Sequence, residues 1–363
     1  MVPETEDQLA EAIREASGPL RIEGGGTRGI ASEGELLSVR NLSGIELYEP
    51  GALTLVAKSG TTLSEVEAAL ARDGQRLAFE PMDHRELLGT EGEATIGGVV
   101  AANVSGPRRV AMGACRDFML GVRFVDGTGT VMKNGGRVMK NVTGYDLVKL
   151  LTGSFGTLGV LTEVSLKVLP RPETQATIAV PQSDMREAVA AMAKALGSPF
   201  EVTGAAWTGA QTLVRIEGFG DSVDYRGGRL RDLLAPFGTP EMIRVEDSVA
   251  LWTGVRNVTD FAELEGAVWR LSLRPSEAPD VLARLPGAAK VRLDWGGGLA
   301  WVLVPEGTDV RAALGAFDGH ATRVRGSGGG PRFQPEVPAV AALSAGLRTK
   351  FDPRGILNPG VLG

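Results

Sequence analysis

The sequence predicts an α+β protein in two parts, and three observations carry that reading. A chain of 363 residues exceeds what one hydrophobic core ordinarily organises. Proline punctuation, "LPRPE" at 169–173, marks a break, which sets expected boundaries of 1–172, 173–335 and a closing segment 336–363. Beyond the break, short strands alternate with amphipathic helices: "TIAVP", "DMREAVAAMAKALG", "TLVRIEGFG", "RGGRLRDLLAPFG" and on to "VRLDWGGGLAWVLVP". That order is expected of an antiparallel sheet with helices on one face.

The elements of the first part follow in order. Residues 4–17 place Leu9, Ala12, Ile13 and Ala16 at the spacing of an amphipathic helix. "PLRIE" is a short strand, and "GGGT" follows it directly. Polar "RGIASEGE" and a strand "LLSV" come next, so no helix stands immediately behind the glycines. This argues against a Rossmann fingerprint, whose glycines open a helix, and against a P-loop, which needs a G-K-[ST] ending. "TTLSEVEAALARDG" is a helix that Thr62 and Glu65 open in capping-box relation and Gly74 closes. The stretch from Phe79 to Arg109 reads as a long, glycine-punctuated loop around an apolar "ATIGGVVAAN", and loops of that length in compact domains ordinarily wrap a ligand. A hairpin turning at Asp126 and Gly127, a short helix "YDLVKLLTG" and an alternating strand "GVLTEVSLKVLP" complete this part. In the second part the Gly296–Gly298 run is a hairpin turn. The chain ends in a helix and a tail, "FDPRGILNPG", expected to dock on the first part through Ile356 and Leu357.

Composition removes several function classes. A net charge of −6 and a pI near 5.3 supply no basic footprint for nucleic acid or an anionic membrane. One cysteine allows no internal disulfide, and the acidic helical N-terminus does not read as a signal peptide, so a cytoplasmic location is expected. No apolar run approaches a bilayer span, which makes any membrane association peripheral. With His84, His320 and Cys115 the only such side chains, no zinc or His-rich catalytic spacing can be assembled.

Gly24, Gly25 and Gly26 leave two readings open at that point. Consecutive glycines can make a tight turn, or they can bring backbone N–H groups close to an anion as a nest. Four stretches in order decide between them: "GGGT", "ATIGGVVAANVSGPRRVAMGACRDFMLGVRFVDGTG", "GSFGTLGVLTEVSLKVLP" and the terminal "FDPRGILNPG". Together they resemble the vanillyl-alcohol oxidase, or PCMH-type, FAD-binding superfamily over most of 1–172. The run "GGRVMKNVTGYDLVKLLTGSFGTLGVLTEVSLKVLPRP" is similar, more finely, to the FAD-binding E-type subunits of bacterial glycolate oxidases, relatives of the D-2-hydroxy acid dehydrogenases.

The resemblance implies a two-part PCMH-type FAD-binding domain followed by an α+β cap domain with an antiparallel sheet. It implies that Gly24, Gly25, Gly26 and Thr27 cradle the FAD diphosphate. Gly92, Thr95, Ile96, Gly97 and Gly98 match the segment along the flavin, with Pro81 at its start; Asn103, Ser105, Gly106 and Gly113 match the next contact loop, and Val160 a backbone contact. Thr27 stands where relatives with covalent flavin carry His, so non-covalent FAD is expected, with Cys115 a buried small residue. The metal-binding histidine cluster of the catalytic relatives' cap has no counterpart here.

The function this implies is FAD-mediated electron transfer within a glycolate oxidase-type 2-hydroxy acid dehydrogenase. Its expected partners are a catalytic flavin subunit and an iron–sulfur subunit. A stand-alone 2-hydroxy acid or sugar oxidoreductase and a non-catalytic assembly subunit are the alternatives. His84 reads as a solvated loop histidine and His320 as an ordinary strand-start residue. Arg323, Arg325 and Arg332 are candidates to hold a carboxylate, and Tyr145 and Asp146 read as capping and packing a helix.

Overall fold

The computed structural model describes residues 1–30, 32–137, 144–328 and 330–362. It opens with α1 (Glu6–Glu15), which Thr5 caps by accepting from the Gln8 N–H and which buries Leu9, Ala10 and Ile13. β1 (Leu20–Glu23) and β2 (Glu35–Ser38) pair in parallel on either side of the glycine loop. β3 (Ile45–Glu49) and β4 (Thr54–Lys58) lead to α2 (Leu63–Arg72), where the Thr62 hydroxyl accepts from the Glu65 N–H at 3.2 Å. β5 (Gln75–Arg76) follows.

The stretch expected to be a long loop holds two short helices, α3 (Arg85–Leu88) and α4 (Ile96–Ala101), and runs into a third, α5 (Arg109–Met112). Two glycines weaken α4 intrinsically. Thr95 caps it, accepting from the Gly98 N–H, and Ile96, Val99 and Val100 anchor it in the core. Tertiary burial therefore overrides propensity. β6 (Met119–Val125) and β7 (Val131–Gly135) form the expected hairpin. α6 (Leu147–Leu151), β8 (Val160–Lys167) and β9 (Leu169–Pro170) close this half. Asp146 caps α6 by accepting from the Lys149 N–H, whereas Tyr145 is 88% exposed and packs nothing. The antiparallel sheet runs β3-β4-β8-β6-β7.

The second half comprises β10 (Thr174–Pro181), α7 (Met185–Leu196), β11 (Val202–Trp207), β12 (Gln211–Gly218), α8 (Gly220–Leu234), β13 (Glu241–Arg244), α9 (Val245–Asn257) and β14 (Ala267–Leu273). It continues through α10 (Ala278–Leu282), β15 (Lys290–Asp294), β16 (Leu299–Val304), α11 (Val310–Leu314) and β17 (Gly319–Arg325) to α12 (Pro338–Phe351). Eight strands form one antiparallel sheet in the order β13-β10-β12-β11-β15-β16-β14-β17. Ile178, Val214, Trp269 and Val302 pack one face against α7 and α8.

The expectation of helices on a single face is not met. α9 lies on the opposite face, its Trp252 packed on Ala179, Ala206 and Leu213 and donating from Nε1 to Thr177 Oγ1 at 2.8 Å. Gly204 admits the indole, since a Cβ there would stand 2.8 Å from the ring. The remainder of that face, with Val268, Leu299, Trp301 and Leu303, joins the core of the first half. Half of the sheet thus roofs the first half directly. After α12, which buries no residue, Ile356 and Leu357 pack with Leu9, Leu20 and Leu37. The Leu20 N–H donates to the Ile356 carbonyl at 2.7 Å, and the Asn358 N–H to the Leu20 carbonyl at 3.0 Å.

Candidate functional site

The turn from β1 into the glycine loop forms one wall of a cleft of about 1100 Å³, closed by α4, the start of β8 and the tail. Among the described residues, the N–H groups of Gly24, Gly25, Gly26 and Thr27 find no acceptor. Consecutive amides without partners in a sheltered loop are costly. The Ser59 hydroxyl and the Arg28 Nε, both lining the cleft, are likewise buried and unpartnered. These donors suit adjacent phosphates, so the residues present fit the diphosphate of a dinucleotide. Backbone segments also pack very closely here: a Cβ on Gly25 would fall 1.6 Å from the Glu93 carbonyl oxygen, and one on Gly97 would fall 2.5 Å from Ser59 Cβ. Thr95, Gly97, Gly98 and Val160 complete the lining.

A second cavity of about 2020 Å³ lies between the roofing sheet and the first half. Asn103, Ser105 and Gly106 line it, while Pro81, Gly92, Ile96 and Gly113 line neither cavity. The Ile96 side chain belongs to the core. Arg28, His84 and Phe155 border both spaces, so the two meet there.

His84 is not the solvated loop residue expected. It is 7% exposed, and its Nε2 stands 3.1 Å from Arg28 Nη1. A guanidinium only donates, so the imidazole accepts and is neutral. Burial, and then the Arg28 charge, hold its pKa well below the usual range. The ring orients Arg28 and leaves no free base there. His320, on β17 opposite Ser272 of β14, faces the second cavity, its pKa lowered by burial and by Arg270 and Arg109.

The arginines expected to hold a carboxylate are instead structural. Arg325 donates to the carbonyls of Leu87, Phe261 and Ala262, Arg323 to that of Gly330, and Arg332 to that of Gly29. Reasoning from sequence missed Arg28, Arg109 and Arg270, which line the second cavity. Only the position of Arg28 beside the glycines offered a signal. Asp294 borders the same cavity and accepts from the Trp295 N–H at 2.7 Å; burial lifts its pKa to about 7.

A buried ionic network fixes one half on the other. Arg108 pairs with Glu217 and, at 2.7 Å, with Glu80; Arg215 meets Glu80 and Arg76 meets Glu217, each at 2.9 Å. Cys115 is wholly buried, and burial pushes its thiol pKa up. Among the described residues, no helix is long and apolar enough to cross a membrane, and no group of three His, Cys, Asp or Glu could hold a metal ion.

Comparison with known proteins gives consistent results. Residues 1–135 match the model of the FAD binding domain family. The fold is shared with alkyldihydroxyacetonephosphate synthase, at a TM-score of 0.72 and 15% identity, over 99% of this chain and 76% of that one. D-lactate dehydrogenase of Archaeoglobus fulgidus is 30% identical across 52% of this chain, which spans 42% of that protein. Glycolate oxidase subunit GlcE of Escherichia coli K12 is 37% identical over 98% of this chain and 95% of its own length. Identity at that level along nearly the whole of both chains, in a fold built around an amide-lined cleft, places this protein in the GlcE family of FAD-binding glycolate oxidase subunits.

Proposed function

We propose that this chain is the FAD-dependent oxidoreductase subunit of a glycolate oxidase-type 2-hydroxy acid dehydrogenase complex. In this reading residues 1–172 hold the cofactor, 173–335 cap it and 336–363 return to the first part. The observation that carries it is the run of unpaired amides at residues 24–27, with the Ser59 hydroxyl and Arg28 Nε beside them. These donors would hold the diphosphate, Thr95, Gly97, Gly98 and Val160 would wall it, and Asn103, Ser105 and Gly106 would continue toward the second cavity. Pro81, Gly92, Ile96 and Gly113 would act by supporting the backbone that carries these contacts.

Bound FAD supplies a two-electron acceptor that can release electrons singly. Thr27 offers no imidazole for a covalent bond, and Cys115 lines neither cavity, so the cofactor is held non-covalently. A single cysteine cannot ligate an iron–sulfur cluster. Any iron–sulfur relay would therefore sit in a partner, beside a catalytic flavin subunit, and the E. coli relative is itself named a subunit. Such a complex is cytoplasmic, with any membrane contact made through its partners.

Replacing Gly25 is a poor test, because its Cβ would strike Glu93 before any ligand. Gly98→Ala is cleaner: its Cβ would meet only Thr95 Oγ1, at 3.2 Å. The purified chain should carry FAD in equal stoichiometry and release it intact in acid, and Gly98→Ala should lower flavin content without changing the circular dichroism spectrum. A chain that takes up no FAD on reconstitution would refute the reading.

A further inference from the structure

The second cavity concentrates positive charge that the chain does not neutralise. Arg109 of α5 and Arg270 of β14 place their guanidinium carbons 4.4 and 5.0 Å from the ring centre of Trp295. The indole is itself fixed, donating from Nε1 to the Gly106 carbonyl at 3.0 Å. Neither guanidinium has a hydrogen-bond or ion-pair partner among the described residues. Contact with the ring uses none of the guanidinium N–H donors, and those donors can grip a carboxylate in two parallel bonds. Arg28 adds a third cation where the two cavities meet.

The carboxylates at hand offset this charge only through space, Asp294 acting on Arg270 and Asp117 on Arg109, with no ion pair to either. Asp294 pairs with no cation and accepts from a backbone N–H, and Glu336 accepts from Ser344. Burial presses Arg28 and Arg270 down to about 10, helped by the charges of Arg270 and Arg332 on the first and of Arg109 on the second. Unneutralised guanidinium in a low-dielectric cavity is costly unless an anion arrives.

We propose that Arg109 and Arg270, stacked on Trp295, form a receptor for the carboxylate of a small organic acid in the cavity between the two halves. This rests on the FAD reading above and takes it further. A carboxylate site then lies in this chain itself, and binding of the acid does not depend wholly on a partner subunit. Arg28 and the His84 that orients it form the boundary between acid and cofactor.

The test is calorimetric titration of FAD-loaded protein with oxalate, a dianion that cannot be oxidised by hydride loss, with FAD per chain measured by absorbance in parallel. The parent should bind one oxalate per chain. Arg270→Met should weaken binding about 10- to 100-fold, as expected for a lost charged hydrogen-bond pair, with FAD content unchanged and thermal stability no lower. Arg270→Lys, which keeps the charge without the fork, should fall between. No oxalate binding to the loaded parent, or equal binding to Arg270→Met, would overturn the proposal. Loss of FAD in Arg270→Met would overturn it too, since the cluster would then serve the cofactor's own phosphates. If the chain cannot be loaded, the FAD reading fails by itself; oxalate binding to the apoprotein that disappears in Arg270→Met would still support the receptor.

Discussion

Two arginine clusters sit at the same interface, and they are built on opposite terms. In one, Arg76, Arg108 and Arg215 close on Glu80 and Glu217. Burial alone would raise the Glu217 pKa, but the hydrogen bonds from Arg108 and the charges of Arg215, Arg108 and Arg76 hold it far below the usual carboxylate range. In the other, Arg109 and Arg270 have an indole to lie on and no carboxylate to pair with. In the first cluster every guanidinium has a carboxylate within reach, and the cluster acts as a lock between the halves. The second is incomplete within the chain, and incompleteness in a cavity is what a binding site requires. Arginine count and local sequence do not separate the two cases; the positions of the carboxylates do.

The largest effect should come from breaking the lock. Glu217→Ala strands Arg76 and leaves Arg108 and Arg215 to share Glu80, and should destabilise the fold by about 3–5 kcal/mol, read by chemical denaturation. A loss under about 1 kcal/mol would mean that the network contributes nothing beyond packing. Next, saturating oxalate should stabilise the parent by about 2.7 kcal/mol at a hundredfold excess over its dissociation constant, seen as a raised melting temperature. The same addition should stabilise Arg270→Met by only about 0.4–1.4 kcal/mol, and equal shifts in both would erase the distinction between the clusters.

Without ligand, Arg270→Met should leave stability unchanged or raise it by up to about 1 kcal/mol, because an unpaired cation is removed from a desolvated site. A fall of several kcal/mol would show that Arg270 belongs to a lock after all.

The last effect concerns Asp294, which senses Arg215 and Glu80 from one cluster and Arg270 from the other. Its folded pKa, about 7, lies above the ordinary aspartate value of about 3.9. Folding therefore favours the protonated acid, and its contribution is full below pH 4 and lost as pH rises through about 7. Melting temperatures of the parent should drop relative to Asp294→Asn between pH 5 and pH 8; parallel curves would show that Asp294 does not titrate in that window.

Much of the fold was legible locally. The caps at Thr62 and Asp146, the hairpin at Asp126 and the turn at Gly296–Gly298 follow from rules spanning a few residues, and the structure has each. α4 was not legible, because its glycines argue against a helix and only burial of Ile96, Val99 and Val100 outweighs them. α9 was missed because "VEDSVALWTGVRN" buries only Ser248 and Trp252 and so presents no apolar stripe to find. His84 could be found as a histidine in the loop, but not as the acceptor that holds Arg28.

By itself, the sequence determined the α+β class, the alternation of strands and helices, and the bare backbone of the glycine loop. Those depend on periodicity, capping and the missing Cβ, which act between neighbours along the chain. Only the tertiary structure decided which donors stay unpaired and which arginines face a cavity. Arg28, Arg109 and Arg270 come from a loop, a helix and a sheet far apart in sequence, and a guanidinium becomes a lock or a receptor according to whether the fold brings a carboxylate within reach.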